Sequence, residues 1–402
     1  MMDFKWIRSN MDLYHIGENC THIIAISNSG NLAADFYKYG CSFYDAAEQV
    51  IHYLCNEAAE KHDIAKLDLW YFATVYLYRQ SLELLLKANI FQTVMNNSDR
   101  KKLVGKIRHN LRQSFEKLIE IRSLPIDKSE NAKWLMSYLS DISRLDEESD
   151  MFRYPFGSKF KTLFKKQTNI SLVATHNNMN KAYKIIKELF DTGNLSEQTY
   201  ESSLPQLIIE GGEYYLQSVV GYKYSNHSFY PYFSSYNEVG NFLKDIIVEK
   251  GAQNLFMPMC YLYRNAIELG LKRLIAEDSL MNSSEALKII RKKKHSIEGL
   301  WNSIELELKK HAKTTDEIST LNSAQKYILA FHNFDQRSDR FRYPCSKDLD
   351  SYFLTEKKFD IDNVASCFEE LCNFLDATDD MLGTIKDCES EAAAEATRCP
   401  DY

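Results

Sequence analysis

The chain has 402 residues, 45% hydrophobic and 26% charged, with a formal net charge of −7. That balance excludes a disordered or membrane-embedded polymer and leaves room for two or three domains. Its 14 glycines and 7 prolines are less than half the usual share of about 12 per cent, so turn-rich sandwiches and barrels are excluded and helices are expected. The mild acidity leaves any nucleic-acid contact to local basic patches.

Near the start, Asp3, Lys5 and Arg8 are followed by no apolar run, so no secretory leader is read and a cytoplasmic protein with no membrane contact is expected. Residues 1–40 form an N-terminal extension with a short β-like run at 22–27. Apolar residues at three- and four-residue spacing then predict helices over 43–61, 67–96, 109–122, 131–149 and 171–190. The polar stretch 192–203 reads as a linker, and a second β-like run covers 214–220. Helices follow over 233–250, 254–278, 296–311, 316–334 and 363–381, and the acidic, alanine-rich residues 387–402 read as a frayed tail. Segments 75–91 and 257–275 are apolar around most of their circumference, as in helices covered by neighbours. The expected division is thus a helical domain at 41–191 and another at 204–386. Nine cysteines, an odd number with no Cys-x-x-Cys pair, read as reduced thiols, with neither disulfide framework nor zinc site.

The two predicted domains contain the same sequence blocks. Tyr76-Leu77-Tyr78-Arg79 with Glu83 and Lys87 recurs as Tyr261-Leu262-Tyr263-Arg264 with Glu268 and Lys272, and Arg108-His109 matches Lys294-His295. Residues 146–155 and 335–344 share seven of ten positions, ending in Phe152-Arg153-Tyr154-Pro155 and Phe341-Arg342-Tyr343-Pro344. Ser42-Phe43-Tyr44 and Ser228-Phe229-Tyr230 extend the match upstream. Blocks in one order imply duplication of a domain of about 185 residues rather than a shared motif.

A central helix of the form Arg-x-x-x-Glu-x-x-x-Lys, then a loop, then His opening the next helix, resembles the HEPN superfamily of small all-α domains. The resemblance covers about 42–190 and 228–382. It implies an all-α fold of two homologous HEPN-like bundles related by a pseudo-twofold axis, with minor short strands, the duplication building the family's dimer within one chain. It also implies RNA as target, through metal-independent endoribonuclease activity in a prokaryotic antiviral or toxin–antitoxin system. The alternative is a catalytically inactive scaffold that binds RNA, a nucleotide or a protein partner of such a module. The family signature of Arg and His with four to six residues between them is replaced at the matching place by Phe-Arg-Tyr-Pro.

The candidate catalytic residues are His109, His295, Arg153 and Arg342. A histidine suits proton transfer near neutral pH, and an arginine held beside a proline turn suits a phosphate. In one shared cleft, the arginines would hold phosphates while one histidine removed the 2′-hydroxyl proton and the other protonated the leaving oxygen. The structural reading instead pairs Arg153 with Glu83 or Asp150, and Arg342 with Glu268 or Asp339. Candidate substrate-binding residues are Arg79, Glu83, Lys87 and Tyr154, with Arg264, Glu268, Lys272 and Tyr343, although i to i+4 ion pairing also explains the Arg and Glu spacing. Basic stretches before each histidine, containing Lys101 and Lys102, then Lys292 and Lys293, read as phosphate-tracking surfaces or solvated loops. Arg8 and His15 have the family spacing, but about one such pair is expected by chance. No phosphate loop, Ser-His-Asp order or metal-ligand spacing is visible, so no cofactor or metal is expected.

Overall fold

The computed structural model describes residues 5–18, 20–156, 164, 166–195, 197–221, 229–278 and 281–398. It is mostly helical. In chain order come β1 (Ile23–Ile26), α1 (Leu32–Tyr53), α2 (Ile64–Thr93), α3 (Asn97–Ile107), α4 (Leu111–Arg122), α5 (Glu130–Leu145), β2 (Thr168–Ser171) and α6 (Leu172–Thr192). After them come β3 (Gln217–Val220), α7 (Tyr230–Lys250), α8 (Phe256–Arg273), α9 (Ser283–Lys293), α10 (Ile297–His311), α11 (Thr315–Phe334), β4 (Lys357–Asp360) and α12 (Ile361–Arg398). No described helix is long and apolar enough to cross a membrane.

Local chemistry sets the helix starts. Asn31, Asp63, Asn110 and Ser296 accept backbone N–H bonds at the first turns of α1, α2, α4 and α10, and Thr314 with Glu317 closes a capping box on α11, which satisfies otherwise orphaned donors. As expected, α2 and α8 are buried along nearly their whole length. They meet at Tyr76 and Tyr261, stacked with ring centroids 4.9 Å apart. Around that stack, Phe43 of α1 packs on Tyr261 and Tyr236 of α7 packs on Tyr76.

That reciprocity corrects the upstream match. The counterpart of Phe43 is Tyr236, inside α7, whereas Phe229 sits at the start of that helix and Ser228 lies outside the described residues. The Ser-Phe-Tyr repeat was coincidental, and α1 begins within the expected N-terminal extension. Counted from Phe43 and Tyr236, Gly40 corresponds to Phe233, and the opposing Leu85 corresponds to Gly270. The two halves thus place the missing side chain on opposite helices. A Cβ on Gly40 would lie 2.8 Å from Leu85 Cγ, and one on Gly270 3.1 Å from Phe233. Gly40→Ala is therefore expected to cost about 1–3 kcal/mol, read as a lowered urea midpoint.

Three further differences have physical reasons. The basic stretches form short helices, α3 and α9, because Asn96 and Asn282 cap them and only Ile107, or Ala286 and Ile290, need burial. The expected tail continues α12 to Arg398, built from alanine and glutamate, which are strong helix formers. Strands β2 and β4 were invisible as four-residue, partly polar segments. Both β-like runs do become strands, and they pair crosswise: β1 lies antiparallel to β4, with Ile23 opposite Asp360, and β3 antiparallel to β2, with Val220 opposite Thr168. Each ribbon joins the lead-in of one half to the last helix of the other.

Candidate functional site

Two charged clusters lie on α2 and α8. On α2, Arg79, Glu83 and Lys87 follow at i, i+4 and i+8 on one face, all buried. Arg79 Nη1 donates to Glu83 Oε2 at 2.9 Å and Lys87 Nζ to Glu83 Oε1 at 2.7 Å. His109, just before α4, turns Nδ1 to the same carboxylate at 3.1 and 3.2 Å, and its carbonyl accepts from Arg79 Nη2 at 2.8 Å. Tyr343, from the other half of the chain, completes the set: its hydroxyl donates to Glu83 Oε1 at 2.7 Å and lies 3.4 Å from His109 Nδ1.

The α8 cluster repeats this with the halves exchanged. Arg264 Nη1 and Lys272 Nζ donate to Glu268 at 3.3 and 2.7 Å, and His295 Nδ1 lies 2.9 Å from its Oε1. Tyr154 donates to Glu268 Oε1 at 2.8 Å and lies 3.1 Å from His295 Nδ1. The lysines also sit over the visiting rings, Lys87 4.9 Å from Tyr343 and Lys272 4.2 Å from Tyr154.

The electrostatics follow from burial. Desolvation alone would raise the Glu83 carboxyl, yet Lys87, His109 and Arg79 hold it well below the usual carboxylate range; Lys272, His295 and Arg264 do the same for Glu268. Glu83 draws the His109 imidazole up, but burial with Lys87 and Arg342 outweighs it, leaving a pKa below 6.5. His295 is lowered in the same way, against Glu268, by burial, Lys272 and Arg153. Both shifts favour the neutral ring, and a neutral ring facing an ionised carboxylate donates from Nδ1 to it. They are also the most open members of the clusters, with side chains 33% and 37% exposed.

These shifts fix a pH response. The carboxylates, depressed in the folded state, contribute stability present above the unfolded carboxyl range and lost as pH falls through their folded values. The histidines, also depressed, disfavour the folded state as pH drops below 6.5. The urea midpoint is expected to fall from pH 7.5 to 5 and faster below, with His109→Gln and His295→Gln together flattening only the upper part.

Arg153 and Arg342 are bonded within their own turns. Both are buried, each Nε donates to the carbonyl of Ser149 or Ser338 at 2.6 Å, and each Nη2 pairs with Asp150 or Asp339 at 3.0 Å. Their guanidinium groups lie over Tyr76 and Tyr261, 5.7 and 5.6 Å from the centroids. The structural pairing with Asp150 and Asp339 is therefore the one found. Each histidine is hydrogen-bonded within its own cluster, His109 to Glu83 and His295 to Glu268.

Asp146 and Asp335, which sequence reasoning passed over although they open the ten-residue repeat, organise the turns that deliver the tyrosines. Asp146 Oδ1 accepts from Met151 N at 2.9 Å and its Oδ2 pairs with Arg79 Nε at 3.0 Å; Asp335 Oδ1 accepts from Asp339 N and Arg340 N. Ser149 and Ser338 adopt positive φ of 63° and 60° in those turns, and Arg108 and Lys294 adopt 46° and 53° immediately before the histidines. Strained non-glycine backbone at matched positions is the kind that surrounding structure must over-determine.

His109 lines a cavity of about 310 Å³ with Lys106, Arg108, Asn110, Gln113, Glu147 and Glu148. Of the basic candidates, Lys101, Lys102 and Lys292 are exposed and Lys293 is half-buried; Lys101 pairs with Asp348 at 3.6 Å. Arg100 is used locally, donating to Val94 and Phe91 carbonyls at the end of α2. Arg8 pairs with Glu370 of α12, and its backbone N–H donates to the Tyr327 hydroxyl. No family model, no curated protein and no solved structure matches the chain.

Proposed function

We propose that the chain is an intramolecular pair of HEPN-like bundles, related by a pseudo-twofold axis, that cuts RNA without metal at two histidine centres. The observation that carries this reading is the exchange of tyrosines: Tyr343 reaches Glu83 and Tyr154 reaches Glu268, so each centre needs both halves. Within a centre the carboxylate fixes the tautomer of a neutral histidine, leaving Nε2 to accept a substrate proton, the arrangement by which a buried acid orients a general base.

On this reading His109 or His295 takes the proton of a 2′-hydroxyl, the 2′-oxygen attacks the adjacent phosphorus, and the bond to the 5′-oxygen breaks as water protonates that oxygen. The products are a 2′,3′-cyclic phosphate and a 5′-hydroxyl end. Lys106 and Arg108 beside His109, and Lys294 beside His295, supply the positive charge for the phosphate. Arg153 and Arg342 act as positioning residues, holding the turns from which the tyrosines project.

A second reading, a non-catalytic RNA-binding scaffold, is favoured by one observation: both arginines of the repeated turn are committed to aspartates and tyrosine faces. Purified full-length chain incubated with total RNA and transfer RNA in EDTA separates the two. Cleavage leaving 2′,3′-cyclic phosphate ends supports the enzyme. Absence of cleavage, with a gel shift that weakens steeply with salt, supports the scaffold, and absence of both removes RNA as the target.

A further inference from the structure

Outside both centres, Glu48 and His52 lie four residues apart on α1 and face His176 of α6. His52 Nε2 lies 3.4 Å and His176 Nε2 3.3 Å from the Glu48 carboxylate, and one ligand atom from each residue falls within 4.8 Å of the others. The histidine rings meet edge to face with centroids 5.2 Å apart.

From this convergence we infer a binding site for a divalent transition ion of the zinc type, held by Glu48, His52 and His176. Bonds of about 2.0–2.1 Å in a tetrahedral zinc site set neighbouring donors roughly 3.3–3.4 Å apart, which is the spacing of both imidazoles from the carboxylate. His176 Nε2 also stands within hydrogen-bond reach of Glu48 Oε2 at 3.3 Å, so the convergence of two imidazoles on one carboxylate, rather than either distance alone, carries the assignment. Two imidazoles directing Nε2 at one carboxylate also form the borderline nitrogen and oxygen set that zinc takes.

The surroundings fit. Tyr78, fully buried, donates to Glu48 at 2.5 Å, the outer-shell bond that orients a ligating carboxylate. Glu48 and His176 are partly buried, whereas the His52 side chain is 58% exposed, so an ion can enter and a water can fill the fourth position. Among the described residues the feature occurs in the first half. Tyr263, the counterpart of Tyr78, donates instead to the amide oxygen of Asn241 at 2.6 Å, and four residues further on stands Asp245. The ion would clamp the end of α1 to the start of α6, independently of RNA chemistry at the other centres.

The test is equilibrium dialysis of metal-stripped full-length chain against zinc chloride, with bound zinc counted and thermal unfolding followed. The wild type is expected to bind one equivalent more than the His52→Gln, His176→Gln double variant, and to melt at higher temperature with zinc only when both histidines are present. His52→Gln alone, at an exposed position that leaves folding intact, is expected to weaken binding at least ~10-fold. Cobalt(II) is expected to give the visible absorption of a low-coordinate site in wild type and not in the double variant. Equal zinc in wild type and double variant, or unchanged affinity in His52→Gln, overturns the proposal; the nine cysteines would give that result if they were the true ligands.

Discussion

Glu83→Ala is expected to be among the most damaging single substitutions in the chain. It removes the one anion that Arg79, Lys87, His109 and Tyr343 share, in a site where Arg79, Glu83 and Lys87 are at most 4% exposed. Arg79 keeps Asp146, but Lys87 becomes a buried cation with no carboxylate, which costs about 3–5 kcal/mol, so the urea midpoint should drop sharply. Glu268→Ala should do the same at the other centre. Tyr343→Phe removes one hydrogen bond to a charged acceptor and should cost about 1.5–3 kcal/mol. Because Tyr343 and Glu83 belong to different halves, the cycle built from Tyr343→Phe and Glu83→Gln reads coupling between halves directly, and strict additivity would deny it. A loss below about 1 kcal/mol for Glu83→Ala would mean that water reaches the cluster after all.

The second large effect concerns rate. If His109 and His295 are bases in separate centres, His109→Gln or His295→Gln alone leaves the other centre working and lowers RNA cleavage no more than severalfold. The double variant should fall by about 10²–10⁴, the usual contribution of a general base. A single shared cleft predicts the opposite, with either substitution alone giving the full loss. The singles therefore choose between the two geometries, and the double asks whether histidine acts at all. Urea unfolding of each variant at pH 7.5 separates lost chemistry from lost fold.

Much of the architecture was legible because duplication writes the same physics twice. The Arg-x-x-x-Glu-x-x-x-Lys stripe, the following histidine and the Phe-Arg-Tyr-Pro turn all fall within the two clusters. What the residues could not reveal was pairing across copies: Tyr154 stands closer in sequence to Glu83 than to Glu268, and nothing local says that its partner lies in the other half. Burial of Arg153 and Arg342 was half-readable, since Asp150 and Asp339 stand three residues away. The false Ser-Phe-Tyr match shows how three residues align by accident once helices drift in register, and only the packing of Phe43 and Tyr236 restores the offset. His176 gave no signal as a partner for Glu48 and His52 because 128 residues separate it from Glu48.

The exchanged tyrosines also impose an order on synthesis. Tyr154 is made 114 residues before Glu268, so the α8 centre finds its phenol already present. Glu83 precedes Tyr343 by 260 residues, roughly 13–52 s at ~5–20 residues per second. Through that interval the nascent first half carries three charged groups without their cover, and for the earlier part of it, until Tyr261 is made, Tyr76 also lacks the ring that later stacks on it. Ribosome-bound chains stopped before Tyr343 should therefore recruit chaperones and resist compaction, and the native state becomes reachable only when the last third of the polypeptide is released.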